Sequence, residues 1–129
     1  MLSSFIIVGL GGAIGAMLRY GTGLLVMASG LGPSWLATIS VNLIGSLVMG
    51  IMASLLLTLP QFSEQMRLFI MVGLLGALTT FSSFALDGFH LFKAQDWLML
   101  GFYILGSVAG AFISFALGFW LTSLLLKGA

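Results

Sequence analysis

From Trp35 to Thr58, and again from Trp97 to the residue before Lys127, this chain runs without one charged side chain. Each stretch exceeds the roughly 20 residues a helix needs to cross a hydrocarbon core about 30 Å thick. Two further stretches are nearly as apolar: one from about Phe5 to Met27 carries only Arg19, and one from about Arg67 to Phe92 carries Asp87. Lipid cannot hydrogen-bond to an open backbone, so segments of this kind cross it as helices. Residues 1–129 are therefore expected to form a single four-span transmembrane domain of the all-α class, with no soluble domain left over.

Composition agrees, since 60% hydrophobic and 5% charged residues in 129 cannot clothe a water-facing surface. Met1-Leu2-Ser3-Ser4 lacks the basic flank of a secretory signal, so the first apolar run reads as a retained span. Turn chemistry separates the spans at Ser29-Gly30-Leu31-Gly32-Pro33-Ser34, at the polar loop Leu59-Pro60-Gln61-Phe62-Ser63-Glu64-Gln65, and at Lys93-Ala94-Gln95-Asp96. Trp35, Trp97 and Tyr20 fall at one expected interface and Trp120 toward the other, as aromatic belts do.

Four crossings put Arg67 and Lys127 on one side and Arg19 and Lys93 on the other. That tie leaves the positive-inside rule without a preference, and insertion in both orientations is the expectation. Net charge is only +1, with no basic cluster for nucleic acid or anionic lipid. A single histidine, no cysteine and three scattered acids offer no catalytic pair and no metal cluster, so an enzyme is not expected.

Small residues mark the packing faces. Gly106, Gly110, Ser114 and Gly118 form a ribbon at steps of four, and Gly11 and Gly15 repeat the pattern on the first span; such ribbons let helices approach closely in lipid. Thr38, Asn42 and Ser46, also four apart, give the second span one polar face. The Asn42 amide is costly in hydrocarbon and must turn to a partner helix or to a water-filled path, and the residues alone leave both open. Tyr103 and Ser107 place two hydroxyls on one face of the fourth span.

The third span is the least ordinary. Gly73 and Gly76 precede Thr79-Thr80-Phe81-Ser82-Ser83-Phe84, a run of weak helix formers and hydroxyls at membrane depth. Unwound backbone survives there only when buried in protein or when it coordinates an ion, so a broken helix is expected. Phe81 and Phe84 share a face, and the positive edge of an aromatic ring can approach an anion. Asp87 and His90 follow, near enough to the span's end to be solvated; a proton relay is the alternative.

Three segments together, Gly11-Gly12-Ala13-Ile14-Gly15-Ala16-Met17-Leu18-Arg19-Tyr20, Val41-Asn42-Leu43-Ile44-Gly45 and Gly76-Ala77-Leu78-Thr79-Thr80-Phe81-Ser82-Ser83-Phe84, resemble the Fluc (CrcB-like) fluoride channels. The resemblance covers all four spans. It implies an antiparallel, dual-topology homodimer in a prokaryotic plasma (inner) membrane, with two fluoride pores that export cytoplasmic fluoride. By the same resemblance Phe81 and Phe84 stand beside the ion path, Asn42 supplies the pore amide, and Thr38, Tyr103 and Ser107 are pore-side polar groups, with Arg19 near the entrance. A structural sodium ion on the dimer axis would be held by the backbone carbonyls of Gly76 and Thr79. Two departures are visible: Ser83 stands where relatives commonly carry Thr, and Ala111 where some carry Ser, which shortens any polar track on the fourth span.

Fluoride is small and tightly hydrated, so a pore must replace its water with donors without trapping it. Neutral amides, hydroxyls and ring edges do that, and no lysine or arginine stands mid-span to bind too firmly. A small multidrug-type transporter is the first alternative, but cation export coupled to protons calls for a carboxylate in the first span and none is there. A non-conducting structural membrane protein is the second.

Overall fold

The protein is described from a computed structural model covering residues 1–59 and 61–128. Among these, four helical runs are long and apolar enough to cross a membrane: Leu2–Ser29, Trp35–Thr58, Glu64–Lys93 and Trp97–Lys127. The first, second and last are continuous helices, α1, α2 and the final helix of the chain.

The ends of the runs follow local chemistry. Gly30 terminates α1 in the left-handed region at φ 62°, where a side chain would be strained. The third run begins at Glu64, earlier than the sequence suggests, because the Ser63 hydroxyl caps it by accepting a hydrogen bond from the Met66 amide at 3.2 Å. Glu64 and Gln65 thus belong to helix and not to the polar loop; Pro60, expected in that loop, lies outside the described residues. Arg67 closes on Glu64 at 2.6 Å, an exposed pair that contributes little. Asp96 caps the fourth run through the Met99 amide after a turn in which Gln95 takes φ 58°.

The third run is composite. A short helix α3 (Glu64–Arg67) passes into a π-helical stretch, Leu68–Leu75, and then into one turn of α4 (Gly76–Leu78). Thr79 and Thr80 are extended, with ψ 152° and 124°, and α5 (Phe81–Lys93) starts afresh behind them. The last helix, α6, is Trp97–Lys127.

Packing follows the glycines. Helix α1 lies along the π-helical stretch and α4, while α2 lies along α6. A Cβ on Gly11 or Gly15 would run into the backbone of Phe69 and Leu74, and one on Gly73 into Val8. On the other pair, Leu43 sits over Gly110 and the Leu47 carbonyl over Gly118, so the ribbon on α6 receives α2. Gly106 is looser, with Ile39 at 3.9 Å from the position of its missing Cβ. Few large side chains are buried outright, Leu75 and Tyr103 being the main ones, and large apolar side chains stand exposed along every run. In lipid that exposure costs nothing, so backbone approach takes over from a large apolar core.

Gly15→Ala is expected to destabilise the protein by about 1 to 3 kcal/mol, because backbone must shift to admit the methyl group. Gly21→Ala, whose added Cβ meets nothing within 4 Å, leaves stability unchanged. Thermal unfolding of the two purified variants in detergent, compared with the parent, checks both.

Candidate functional site

The extended pair Thr79-Thr80 would be costly in an apolar setting: Thr79 still donates its amide to the Leu75 carbonyl at 3.0 Å, but the Thr80 amide has no helical acceptor. Asn42 on α2 meets that cost: its Oδ1 accepts from the Thr80 amide at 2.7 Å and its Nδ2 donates to the Thr80 carbonyl at 3.0 Å. One side chain satisfies both backbone groups of a residue only 7% exposed. The Thr80 hydroxyl then caps α5, accepting from the Ser83 amide at 3.1 Å and donating to the Ser83 hydroxyl at 3.1 Å. Thr79 donates its own hydroxyl to the Leu75 carbonyl at 2.9 Å.

These bonds redirect two helical amides. The Thr80 amide, four residues after Gly76, goes to Asn42, and the Ser83 amide, four after Thr79, goes to the Thr80 hydroxyl. The carbonyls of Gly76 and Thr79 are therefore deprived of the donors a continuous helix would give them.

A cleft of about 500 Å³ opens beside the interruption, between α2, α6 and the Thr79-Thr80 backbone. Asn42, Ser46, Gly76, Thr79, Phe81, Phe84 and Ser107 line it, together with an apolar wall from Ala111, Phe112 and Phe115. Ser107 is only 6% exposed, and its Oγ finds no hydrogen-bond partner among the described residues. Ser54 is equally without a partner, but only Ser107 lines the cleft.

Aromatic rings continue the site along α5. Phe81 and Phe84 stand 5.3 Å apart, tilted by 34°; Phe84 stacks on Tyr103 at 5.3 Å, and Trp35 meets Tyr103 edge-on at 5.8 Å. Phe81 is 79% exposed in the single chain, its ring projecting away from the bundle. The Tyr103 phenol donates to Asp87 Oδ2 at 3.2 Å.

Of the residues to which the resemblance gives a pore or cation role, six line one cleft: Asn42, Gly76, Thr79, Phe81, Phe84 and Ser107. Tyr103 sits beside it, stacked on the Phe84 ring, and Thr38 is not among the lining residues. Arg19 does not line it; it lies half-buried on α1, which packs on the π-helical stretch. Asp87, partly exposed near the span's end, also accepts a hydrogen bond from the Tyr103 hydroxyl. Nothing local in the sequence pairs Asp87 with a residue sixteen positions away. Thr80, the backbone anchor, did carry a signal, since threonine is itself a favoured residue at a helix N-terminus.

The family described as "CrcB-like protein, Camphor Resistance (CrcB)" matches residues 6–119. The "Fluoride-specific ion channel FluC" of Chloroflexus aurantiacus is 40% identical over 118 residues, covering 91% of this chain and 93% of the relative. The protein of the same name from Chlorobium phaeobacteroides is 40% identical over 115 residues, covering 88% and 87%. That from Azobacteroides pseudotrichonymphae is 36% identical over 122 residues, covering 95% and 98%.

Asn42→Leu removes both bonds to Thr80 and leaves a buried amide and carbonyl bare, so a loss on the order of 2 to 4 kcal/mol is expected. Asn42→Asp keeps the acceptor and loses the donor, and should fall between the two. Denaturant unfolding of the three proteins in micelles orders them.

Proposed function

Because this chain belongs to the CrcB-like family of fluoride channels, a family of ion channels and not of enzymes, we propose that it forms a fluoride-selective pore that lets cytoplasmic fluoride leave the cell down its gradient. The observation that carries the reading is the cleft beside Thr79-Thr80, where an unpartnered buried hydroxyl, an amide and two adjacent phenyl rings converge.

Each group has a separate task. Ser107 donates to the anion. Asn42 spends its Oδ1 and one N–H on Thr80, which leaves its second N–H as a donor toward the cleft. Phe81 and Phe84 offer ring edges, whose partial positive charge attracts an anion without holding it as an ammonium would. Since these donors are neutral, the ion is stabilised enough to shed water and still free to move on. Tyr103 acts differently. Its proton is committed to Asp87, so it positions the Phe84 ring by stacking and keeps the carboxylate occupied.

Two copies in opposite orientation complete the assembly in this reading, with one pore on each side of their interface, in the inner membrane of a prokaryote. The even split of Arg19 and Lys93 against Arg67 and Lys127 supports insertion both ways. Phe81, largely uncovered in one chain, is suited to meet a second. In this reading the interruption of the third run falls at membrane depth, and Arg19, outside the cleft lining, attracts anions near the entrance.

Sodium fits the same place. Gly76 and Thr79 carbonyls from both copies would hold it, since their usual helical donors are engaged elsewhere and hard oxygens suit a hard cation. When bound, the ion would neutralise converging carbonyl dipoles at the centre of the pair.

The clamp on Thr80 also favours a second reading, a non-conducting membrane protein in which Asn42 is interhelical glue. Ring variants separate the two, because they spare the clamp. Phe81→Ile and Phe84→Ile roughly keep volume and lose the ring edge, so fluoride efflux from liposomes should slow by about tenfold with folding intact. Absence of fluoride efflux from the parent protein, reconstituted as verified dimers, would favour the glue reading. Replacing sodium by a large organic cation is expected to lower the dimer fraction on size-exclusion chromatography and to abolish efflux; indifference to sodium would remove the cation from the account.

A further inference from the structure

The cleft changes character along its length. On α6 the Ser107 hydroxyl gives way, one helical turn on, to Ala111, and beyond it to Phe112 and Phe115. If an anion passes through this cleft, α6 offers it no donor past Ser107.

Helix α2 supplies one. Ile39 lies over Gly106, Leu43 over Gly110 and Leu47 over Gly118, so α2 and α6 run in the same direction. Position 46 consequently stands level with the stretch of α6 between Gly110 and Gly118, where that wall is apolar. Ser46 lines the cleft there, about 6 Å along the helix from Asn42.

Its hydroxyl is also uncommitted. Thr22, Ser40, Thr58 and Thr122 each donate to the carbonyl four residues earlier. Among the described residues Ser46 makes no such bond, and the neighbouring hydroxyl protons of Thr79 and Thr80 go to Leu75 and Ser83. Ser46 and the unpartnered Ser107 are thus the two serines of the cleft with a free proton, one at each end of the donor row through Asn42.

We infer that Ser46 is a contact residue for the permeating anion, taking over on α2 at the level where α6 becomes apolar. The path crosses from one wall of the cleft to the other: Ser107 on α6, the Asn42 amide, then Ser46. This rests on the channel reading above and adds to it a residue and a route.

Fluoride release from liposomes, followed with a fluoride electrode, tests it in four proteins: the parent, Ser46→Ala, Ser46→Cys, and Ser46→Ala combined with Ala111→Ser. Losing a donor to a charged ligand should slow Ser46→Ala by about tenfold, and Ser46→Cys, similar in shape with a weaker donor, should fall between. Ala111→Ser returns a hydroxyl at the same level from the opposite wall, so the double variant should recover most of the parent rate. A role in helix packing alone would not be rescued from across the cleft. Parent-like release from Ser46→Ala, or slowing that Ala111→Ser does not relieve, overturns the inference while leaving the channel reading intact. Should Ser46→Ala not elute as the parent does, Ser46→Cys alone decides, and parent-like release from it overturns the inference. No release from the parent would instead defeat the channel reading itself.

Discussion

The paired hydrogen bonds between the Asn42 amide and the Thr80 backbone are the interaction on which the rest of this molecule depends. A chain that must live in lipid cannot leave peptide groups bare, and the third run departs from the helical ladder at Thr79 and Thr80. A primary amide carries its donor and its acceptor on separate atoms side by side, so it can meet the amide and the carbonyl of one residue at once. With that support in place α5 starts from a fixed point, the Phe81 and Phe84 rings take their positions, and two carbonyls are released from helical duty.

Backbone proximity sets the frame around that joint. Glycines on α1 receive the π-helical stretch and glycines on α6 receive α2, while α5, beyond the interruption, lies against α6 and α2. The π-helical geometry takes up extra residues per turn; the Gly76 amide reaches back five positions to the Met71 carbonyl. Widened turns of this kind let Gly73 face α1 while Thr80, a few residues on, meets α2. Stability here comes from close contact and satisfied polar groups, because lipid gives apolar side chains no reason to hide.

Much of this was legible in the residues. The second run spans Trp35–Thr58 in both readings, because tryptophan at its start and a polar segment after Thr58 mark the ends unambiguously. The glycine spacings named the faces that pack. Asn42 stood out as an expensive residue in need of a partner, but its partner is a backbone, and backbone groups leave no trace in a sequence pattern. The π-helical stretch was invisible for a related reason: Leu68–Leu75 is apolar throughout, so no alternation of polar and apolar residues reports its period. Asp87 was read from its nearness to a loop alone, and the bond it accepts from the Tyr103 phenol on another helix left no local mark in the sequence. Ser46 was seen as part of a polar face, and only the direction of α2 relative to α6 gave it a level in the cleft.

Amide hydrogen exchange at Thr80 in the reconstituted protein tests the central claim most directly. Held by Asn42, that amide should exchange as slowly as helical amides on either side of it, and replacement of Asn42 by Ala should release it while amides within α2 remain protected. Exchange in the parent protein as fast as at the exposed turn residue Leu31 would contradict the account, since the interruption would then be open backbone that no side chain supports.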